Sequence, residues 1–393
     1  MMMAIKRNQT LTMANGSCPV DFVLMGIALF LLLFGLIMVG SASLEIGAKI
    51  HGNAFHLLSR HAVYLFIGIA AAAMALAVPI SIWQRFDVFF LGIAFFLLLL
   101  VLIPGVGKEV NGSIRWIPIG SFSLQGSEFV KLFVLVYIAG YLVRRKEEIA
   151  TSLSGFVKPL LVLTALALLL LGQPDFGSAI VIIAASIGVI YLAGVPYRYF
   201  FPLVVICITA VGLIATLQPY RLARLVAFAD PWEHHLDSGY QLTQALIAFG
   251  RGEWFGLGLG NSIQKLFFLP EAHTDFLFSI IAEELGVVGA ALIIILFGCL
   301  VVRGLLLAQM ARKKGLEFHA FLAYGIALIF GIQATINLGV NLGVLPTKGL
   351  TLPLMSYGGN SLIVSCMMIA VLLRIDFESR QIPASKARGK SNV

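Results

Sequence analysis

Charged residues are scarce in this 393-residue chain, and their scarcity excludes a soluble enzyme. They make up 12% of the sequence, whereas a soluble domain carries about 25%. Apolar and aromatic residues make up 60%, and the mean hydropathy is +0.98. A disordered chain and a fibrous repeat are excluded by the same values. Since about 20 apolar residues span a bilayer core, the sequence predicts an integral membrane protein with one helical domain.

Cysteine is also rare, and several catalytic motifs are missing. Three of the four cysteines, Cys207, Cys299 and Cys366, lie inside apolar stretches, and Cys18 lies in the N-terminal tail. This placement suits neither an extracellular disulfide framework nor a zinc site. The chain has no Walker motif, nucleophile elbow or thiol dyad. It has no clear internal repeat, which argues against an inverted-repeat transporter.

Ten apolar stretches predict an all-α membrane protein with about ten transmembrane helices. The predicted spans are Val20–Gly40, Ala62–Ile80, Val88–Ile103, Glu128–Val143, Val157–Leu171, Ser178–Ala193, Phe200–Leu217, Phe276–Val301, Phe318–Asn341 and Gly358–Leu373. They form a membrane domain over residues 20–374, and the first span is expected to be an uncleaved signal anchor. Residues 218–275 form a large extracytoplasmic loop between spans 7 and 8, which is too long for a simple connector.

The basic residues predict the orientation of these spans. With both termini in the cytoplasm, 17 of the 27 Lys and Arg residues lie on the cytoplasmic side, nine lie outside, and Lys131 lies within a span. This bias follows the positive-inside rule. The net charge of +8 therefore reflects topology, and no nucleic acid partner is expected. Residues 1–19 are a cytoplasmic tail, and residues 375–393 are a basic cytoplasmic tail close to anionic lipid.

Candidate site residues collect in three outside segments, Pro104–Ser127, Gln218–Asp275 and Leu342–Tyr357. Glu271, His273 and Asp275 place three ionisable groups directly before span 8. Partial desolvation at a membrane surface raises the pKa of a carboxyl, which suits a general base. The alternative is that the carboxylate only caps the helix that follows.

Other charged residues lie within or next to spans. Glu128 and Lys131 have the i, i+3 spacing of a pair on one helix face, and Asp175 closes the turn after span 5. Charged groups at membrane depth usually face a wet cavity or the bundle interior. They are either functional or structural ion pairs, and the sequence leaves both interpretations open.

A set of cations on the same side suits a phosphate or pyrophosphate group. Its members are Arg115, Arg221, Arg224, Arg251, Lys265 and Lys348. Each taken alone is more often a solvated loop charge or a lipid contact. His234, His235 and Asp237 are candidate metal ligands, but the sequence identifies no further ligand of certain position to complete such a site.

The segment NLGVNLGVLPTKGLTLPLMSYGGNS, residues 337–361, resembles the C-terminal signature of the SEDS family (shape, elongation, division and sporulation proteins). The motif positions are Pro346, Gly349, Ser356, Gly358 and Gly359. Residues 111–117, 173–177 and 269–276 extend the resemblance over nearly the whole chain. The amino-acid sequences of residues 346–353 and 174–177 are more similar to the division member of the family than to the elongation member.

The resemblance implies a ten-span peptidoglycan glycosyltransferase that polymerises lipid II at the division septum of the bacterial cytoplasmic membrane. It implies a single-span class B penicillin-binding transpeptidase and other division proteins as partners, and it makes Asp275 the catalytic aspartate. The residues expected to bind substrate are Lys348, Arg115, Arg251, Glu271, His273, Ser356, Lys131, Glu128 and Asp175. A divalent cation, Mg²⁺ or Mn²⁺, is a possible cofactor. The alternatives are a lipid II flippase and the elongation-type polymerase.

Overall fold

The computed structural model describes residues 20–110, 113–120, 122–217 and 219–382. Within these ranges the chain forms fourteen helices and three strands. The first half contains α1 (Phe22–His51), α2 (His56–Ala77), α3 (Ile80–Arg85), α4 (Asp87–Leu102), β1 (Lys108–Val110), β2 (Ser113–Ile119), β3 (Phe122–Gln125), α5 (Gly126–Arg144), α6 (Lys146–Thr151) and α7 (Leu153–Gly172). The second half contains α8 (Phe176–Leu192), α9 (Tyr197–Leu217), α10 (Pro219–Ala229), α11 (Tyr240–Gly252), α12 (Leu277–Lys313), α13 (Glu317–Asn341) and α14 (Gly359–Gln381).

Seven of the helices are long and apolar enough to cross a membrane, and α4, α8 and α9 are shorter apolar helices, which makes ten apolar helices in the described residues. Each of the ten predicted spans corresponds to one of these helices, so the multi-pass helical fold is confirmed. Three helices continue well beyond their predicted ends: α1 reaches His51, α12 reaches Lys313 and α14 reaches Gln381. The first part of the predicted tail 375–393 therefore belongs to α14, and residues 1–19 and 383–393 lie outside the described residues.

Three helices form the centre of the bundle. In the apolar 18-residue stretch of α5, 89% of the residues are buried inside the protein. The corresponding values are 72% for α13 and 78% for α14. In α2 and α12 only 28% is buried, so these outer helices present most of their apolar side chains to lipid. The side chains of Glu128 and Lys131 on α5 and of Gln333, Asn337 and Asn341 on α13 are enclosed by protein.

Successive spans run in alternating directions, which gives the bundle two ends. We call the end that carries the described residues 104–110, 113–120, 122–125, 219–276 and 342–358 the site face, and the other end the opposite face. Ion pairs between different helices stabilise the opposite face. Arg303 of α12 lies 2.7 Å from Asp21, the N-cap of α1, and Glu378 of α14 contacts His319 of α13 at 2.9 Å.

A small antiparallel sheet with the order β1-β2-β3 covers part of the site face. This sheet is not among the elements predicted from the sequence. Asn360, in the first turn of α14, donates a 2.8 Å hydrogen bond from Nδ2 to the carbonyl of Ser123 in β3. The sheet is thereby attached to the central helices.

The long helix α12 is interrupted at Gly286, which has φ 67° and ψ −167°. Residues of the preceding loop bond to the backbone at this break: Leu257 N–H donates to the Glu283 carbonyl at 3.0 Å, and Val287 N–H donates to the Glu253 carbonyl at 2.9 Å. An added Cβ at residue 286 would lie 2.4 Å from the carbonyl oxygen of Trp254. Only glycine allows this contact and the left-handed backbone.

Candidate active site

Asp275 lies in the tight turn that joins the large site-face loop to α12. The Glu271 carbonyl accepts hydrogen bonds from the N–H groups of Thr274 at 3.1 Å and Phe276 at 3.3 Å, which close the turn. Phe276 is the N-cap of α12, and its side chain makes no capping hydrogen bond. The Asp275 carboxylate is therefore not in the N-cap position that the alternative interpretation of this residue assigned to it.

Two asparagines of α13 hold the backbone of Asp275 in place. Nδ2 of Asn337 and Nδ2 of Asn341 donate to the Asp275 carbonyl at 2.8 and 2.9 Å. Oδ1 of Asn341 accepts hydrogen bonds from both the N–H and the hydroxyl of Ser279. Because both asparagines are buried, they connect the start of α12 rigidly to the central helix.

The loop between α13 and α14 packs against the Asp275 carboxylate. A Cβ added to Gly349 would lie 3.0 Å from Oδ2 of Asp275, closer than ordinary van der Waals contact. The loop is fixed nearby, because Asn337 Nδ2 also donates to the Leu350 carbonyl at 2.6 Å. Glycine at position 349 therefore leaves the space that the carboxylate occupies.

Gly349→Ala should reduce the activity of the site by about ten- to hundredfold, because a small displacement of a reacting group is enough for such a loss. The measurement is the rate of product formation, with the melting temperature recorded in parallel. Gly298→Ala is the matched control, because an added Cβ at this α12 position meets nothing within 4 Å. Full activity of Gly349→Ala would show that the carboxylate tolerates displacement.

Burial raises the pKa of Asp275 to about 7, and the negative charge of Glu271 contributes to the rise. The positive charges of Arg224 and Arg115 act in the opposite direction. A carboxyl whose pKa lies near neutral pH both takes up and releases a proton there. These properties suit a general base.

Cations lie near this carboxylate on several elements. Arg115 of β2 contacts the turn between α7 and α8: Nε donates to the Gln173 carbonyl at 3.3 Å, and Nη1 lies 4.0 Å from Oδ1 of Asp175. Lys348 Nζ lies 4.3 Å from the ring centre of Phe176, the residue next to Asp175. Arg115, Asp175 and Lys348, chosen separately from the sequence, are thus gathered around the start of α8.

Glu128 and Lys131 form a buried ion pair on α5. Lys131 Nζ contacts the two Glu128 oxygens at 2.8 and 2.9 Å, and it donates to Oε1 of Gln333 on α13 at 2.9 Å. Nε2 of Gln333 then donates to the Thr351 carbonyl at 3.0 Å. The pair is therefore connected to the same loop that contacts Asp275.

Two further residues predicted to bind substrate, Arg251 and Ser356, make contacts within the protein. Arg251 Nε lies 3.3 Å from Oε1 of Glu283, which accepts the Ile263 N–H at 3.1 Å, so Arg251 belongs to a loop anchor. Ser356 is buried, and its hydroxyl accepts the Leu352 N–H at 3.0 Å, which stabilises a turn.

Glu271 and His273 precede Asp275 in the chain by four and two residues. The His273 carbonyl accepts the Tyr357 N–H at 2.9 Å, and the two rings are 5.3 Å apart. Burial lowers the pKa of His273, and Glu271 opposes the decrease. The imidazole is therefore uncharged at neutral pH, whereas Glu271 is exposed at the surface of the site.

The candidate metal ligands His234 and Asp237 are 3.7 Å apart in an exposed turn. No group of three or more His, Cys, Asp or Glu side chains that could hold a metal ion occurs among the described residues.

Three amide side chains of α13 contact the site but are not among the residues predicted from the sequence. Gln333, Asn337 and Asn341 follow at i, i+4 and i+8, so they form one polar stripe along an otherwise apolar span. This spacing was the signal that could have revealed them. Arg224, whose Nη1 donates to the Thr347 carbonyl at 3.4 Å, was recognised only as one member of the basic set.

Comparison with known proteins gives consistent matches along the chain. A family model described as "Cell cycle protein" and named for FtsW, RodA and SpoVE matches residues 22–381. A "Probable peptidoglycan glycosyltransferase FtsW" of Hahella chejuensis is 52% identical, with 96% of this chain and 93% of the relative covered. The protein of the same name from Pseudomonas fluorescens is 51% identical over 92% of this chain and 88% of the relative.

Solved structures share the fold. One, described as "Structural coordination of polymerization and crosslinking by a peptidoglycan synthase complex", matches with a TM-score of 0.74 and 29% identity, covering 92% of this chain and 99% of the other. The rod shape determining protein RodA of Thermus thermophilus matches with a TM-score of 0.68 and 27% identity, covering 92% and 97%. The resemblance drawn from the sequence motifs is confirmed.

Proposed function

The chain belongs to the family of cell cycle proteins that includes FtsW, RodA and SpoVE, and we propose that it polymerises lipid II with Asp275 as the general base. Its relatives are named probable peptidoglycan glycosyltransferases, and this chain has the same activity. The similarity to FtsW proteins at about half identical residues supports septal cell division, rather than elongation, as its setting.

The reaction joins two lipid-linked sugars. The 4-hydroxyl of the acceptor sugar attacks the anomeric carbon of the donor chain, and Asp275 takes the hydroxyl proton. The bond from the anomeric carbon to the pyrophosphate oxygen breaks, polyprenyl pyrophosphate leaves with the electron pair, and the α linkage becomes β. The leaving group therefore gains negative charge during the step.

The surroundings of Asp275 support this role through three features. Its backbone is fixed by Asn337 and Asn341, burial raises its pKa to about 7, and its side chain is not the N-cap of α12. A purely structural carboxylate would be expected to accept capping hydrogen bonds, which lower the pKa. The arrangement instead keeps a proton acceptor available at the membrane surface.

Lys348 and Arg115 are proposed to stabilise the charge that develops on the leaving pyrophosphate. Both lie next to the start of α8, and Arg115 also acts electrostatically on Asp275. Lys131, Glu128 and Asp175 are proposed to line the same polar region. Substrate binding stays a prediction for four other residues: Arg251, Glu271, His273 and Ser356.

Lys348→Met should slow polymerisation by about a hundredfold, because a preorganised cation at the leaving group is worth several kcal/mol in the transition state. Lys348→Arg keeps the charge and should retain most of the activity. Glycan product and melting temperature are measured for both variants. If the melting temperature of Lys348→Met falls together with its activity, Lys348 holds the fold through its contact with Phe176 instead.

A divalent cation remains a proposal. Asp275 and Glu271 are carboxylates near the reaction centre, and Mg²⁺ typically combines one or two carboxylates with substrate phosphates. Activity with and without a chelator, followed by Mg²⁺ or Mn²⁺, tests this point. The proposed partner is a single-span class B penicillin-binding transpeptidase (FtsI-like), supported by the likeness to a peptidoglycan synthase complex.

The site face is proposed to be extracytoplasmic, with both termini in the cytoplasm. A single cysteine replacing Ser238, in a background without the four natural cysteines, should react with a membrane-impermeant thiol reagent on intact cells. Ser154→Cys on the opposite face should react only after permeabilisation. The reverse labelling pattern would contradict this orientation. Ser238 is chosen over Ser262, another serine of the same loop, because Ser262 is buried against Glu283 and would not be reached by the reagent.

The decisive experiment uses the purified protein, its partner transpeptidase and lipid II. Glycan strands should form, and a flippase should instead move labelled lipid II across liposome membranes without forming glycan. Transport without polymer under all partner combinations would favour the flippase alternative.

A further inference from the structure

A groove of about 530 Å³ lies on the flank of the bundle, between the outer part of α1 and the loop before α12. Its walls include the apolar side chains of Ile37, Leu44 and Leu259. The polar groups of Glu45 and Asn261 line it as well. A lining that is apolar in one part and polar in another matches an amphipathic ligand.

The groove lies at the membrane boundary on the side of the site face. Asp21 marks the opposite boundary, because it caps α1 and pairs with Arg303 of α12. Ser41, which lines the groove, follows Asp21 by about 20 residues, or about 30 Å of helix, which equals the thickness of the hydrocarbon core. The apolar part of the groove therefore lies level with lipid chains, and Glu45 lies level with the headgroups.

The groove is separate from the candidate active site. Gly35 of α1 packs against Met355 of the loop that surrounds Asp275, with a Cβ position 2.6 Å from the Met355 Cα. Since successive residues are about 100° apart around a helix, Ile37, Ser41 and Leu44 lie on the side of α1 away from Gly35. These residues line the groove, so it opens away from Asp275.

Buried polar contacts hold the two walls in position. Lys265 Nζ donates to Ser41 Oγ at 2.9 Å, to the Gly260 carbonyl at 2.7 Å and to Glu284 Oε1 at 2.9 Å. The contacts join α1, the loop and α12 around a lysine that is only 7% exposed. The groove is therefore a preformed feature of the fold.

Charges of both signs flank the mouth of the groove. Glu45 is exposed, and Lys49 follows one helical turn later, with its Nζ 4.1 Å from the ring of Phe267, next to the groove residue Leu266. A zwitterionic headgroup carries an ammonium that pairs with a carboxylate and a phosphate that pairs with a lysine. An anionic headgroup would meet the Glu45 carboxylate without a compensating ammonium.

We propose that this groove binds one phospholipid with a zwitterionic aminoalkyl headgroup, of the phosphatidylethanolamine class. Its acyl chains lie along Ile37 and Leu259, its ammonium pairs with Glu45, and its phosphate faces Lys49. The exposed apolar side chains beside the groove, including Phe267 and Phe268, extend the same lipid contact. The proposal does not depend on the chemistry assigned to Asp275.

The test is native mass spectrometry of the full-length chain released from nanodiscs that contain equal amounts of phosphatidylethanolamine and phosphatidylglycerol. One phosphatidylethanolamine molecule should remain bound per chain. Leu259→Trp, which fills the groove, should abolish this adduct. Glu45→Gln should lower the preference for phosphatidylethanolamine over phosphatidylglycerol by about tenfold, since a charge-assisted hydrogen bond is lost.

Glu233→Gln is the matched control, because it removes another exposed carboxylate of the site face and should leave the preference unchanged. Equal retention of both lipids in the natural chain would overturn the headgroup assignment. Retention that persists in Leu259→Trp would place the lipid elsewhere. Displacement of the adduct by polyprenyl phosphate would assign the groove to the lipid-linked substrate and overturn the proposal.

Discussion

Asp275→Asn should reduce glycan polymerisation by about 10²–10⁴-fold while the protein still folds and binds lipid II, because the amide cannot accept the hydroxyl proton. The carbonyl contacts to Asn337 and Asn341 involve only the backbone of residue 275, so they survive the substitution. The measurement is glycan product from purified protein, partner and lipid II. Near-normal product would remove Asp275 from the catalytic step.

The pH dependence of the natural enzyme provides a second readout of the same residue. Activity should fall as the pH drops through about 7, because the base becomes protonated there. Glu271→Gln removes the negative charge that contributes to the raised pKa, so the acidic limb should move to lower pH. An unchanged limb in this variant would indicate that another group controls it.

Stability should respond with the opposite sign. The pKa of Asp275 is raised from its ordinary value of 3.8 to about 7 in the folded protein. The stabilisation that comes from its protonated form is therefore fully present below a pH of about 4. This contribution is lost as the pH rises through about 7. The Asn variant does not titrate, so its melting temperature relative to the natural protein should increase from pH 4 to pH 8.

Removing one partner of the Glu128–Lys131 pair should destabilise the protein more than removing both. The Lys131 side chain is 1% exposed and that of Glu128 is 8% exposed, so a lone charge would be left buried, at about 3–5 kcal/mol. Glu128→Gln, Lys131→Met and the double variant are compared by thermal unfolding in detergent. Strictly additive losses would contradict the pairing.

The chain offers a matched control for this cycle. Lys146 and Glu317 form an ion pair on the opposite face, with side chains 62% and 33% exposed. Water screens such a pair, so its removal should cost only about 0–1 kcal/mol. A similar cost for both pairs would show that the surroundings of Glu128 and Lys131 are not apolar.

The spans could be predicted because membrane crossing sets a length and an apolar composition that each stretch meets by itself. Asp275 could be chosen because three ionisable residues in five precede a span, and the motif resemblance pointed to the same position. Local sequence does not show which carbonyl an amide on a distant helix will contact. For that reason the bonds from Asn337 and Asn341 to Asp275 appeared only in the structure.

Two other features also depend on tertiary contacts. The strands β1–β3 have only three to seven residues, too short for a period-2 pattern to stand out in a Gly- and Pro-containing loop. The start of α8 gathers Arg115 and Lys348 from segments more than 200 residues apart. Charge type indicated that these residues suit phosphate, whereas only the fold shows that they are neighbours.

The break at Gly286 separates residues 277–285 from the rest of α12. Among these residues, Glu283 and Glu284 accept backbone hydrogen bonds from Leu257 and Gly258 of the preceding loop, and Ser279 bonds to Asn341 of α13. We expect the membrane-spanning part after Gly286 to open locally without opening the part that follows Asp275, because residues 277–285 have their own contacts to the loop and to α13. The position of the candidate base would then not depend on fraying of the span that enters the bilayer.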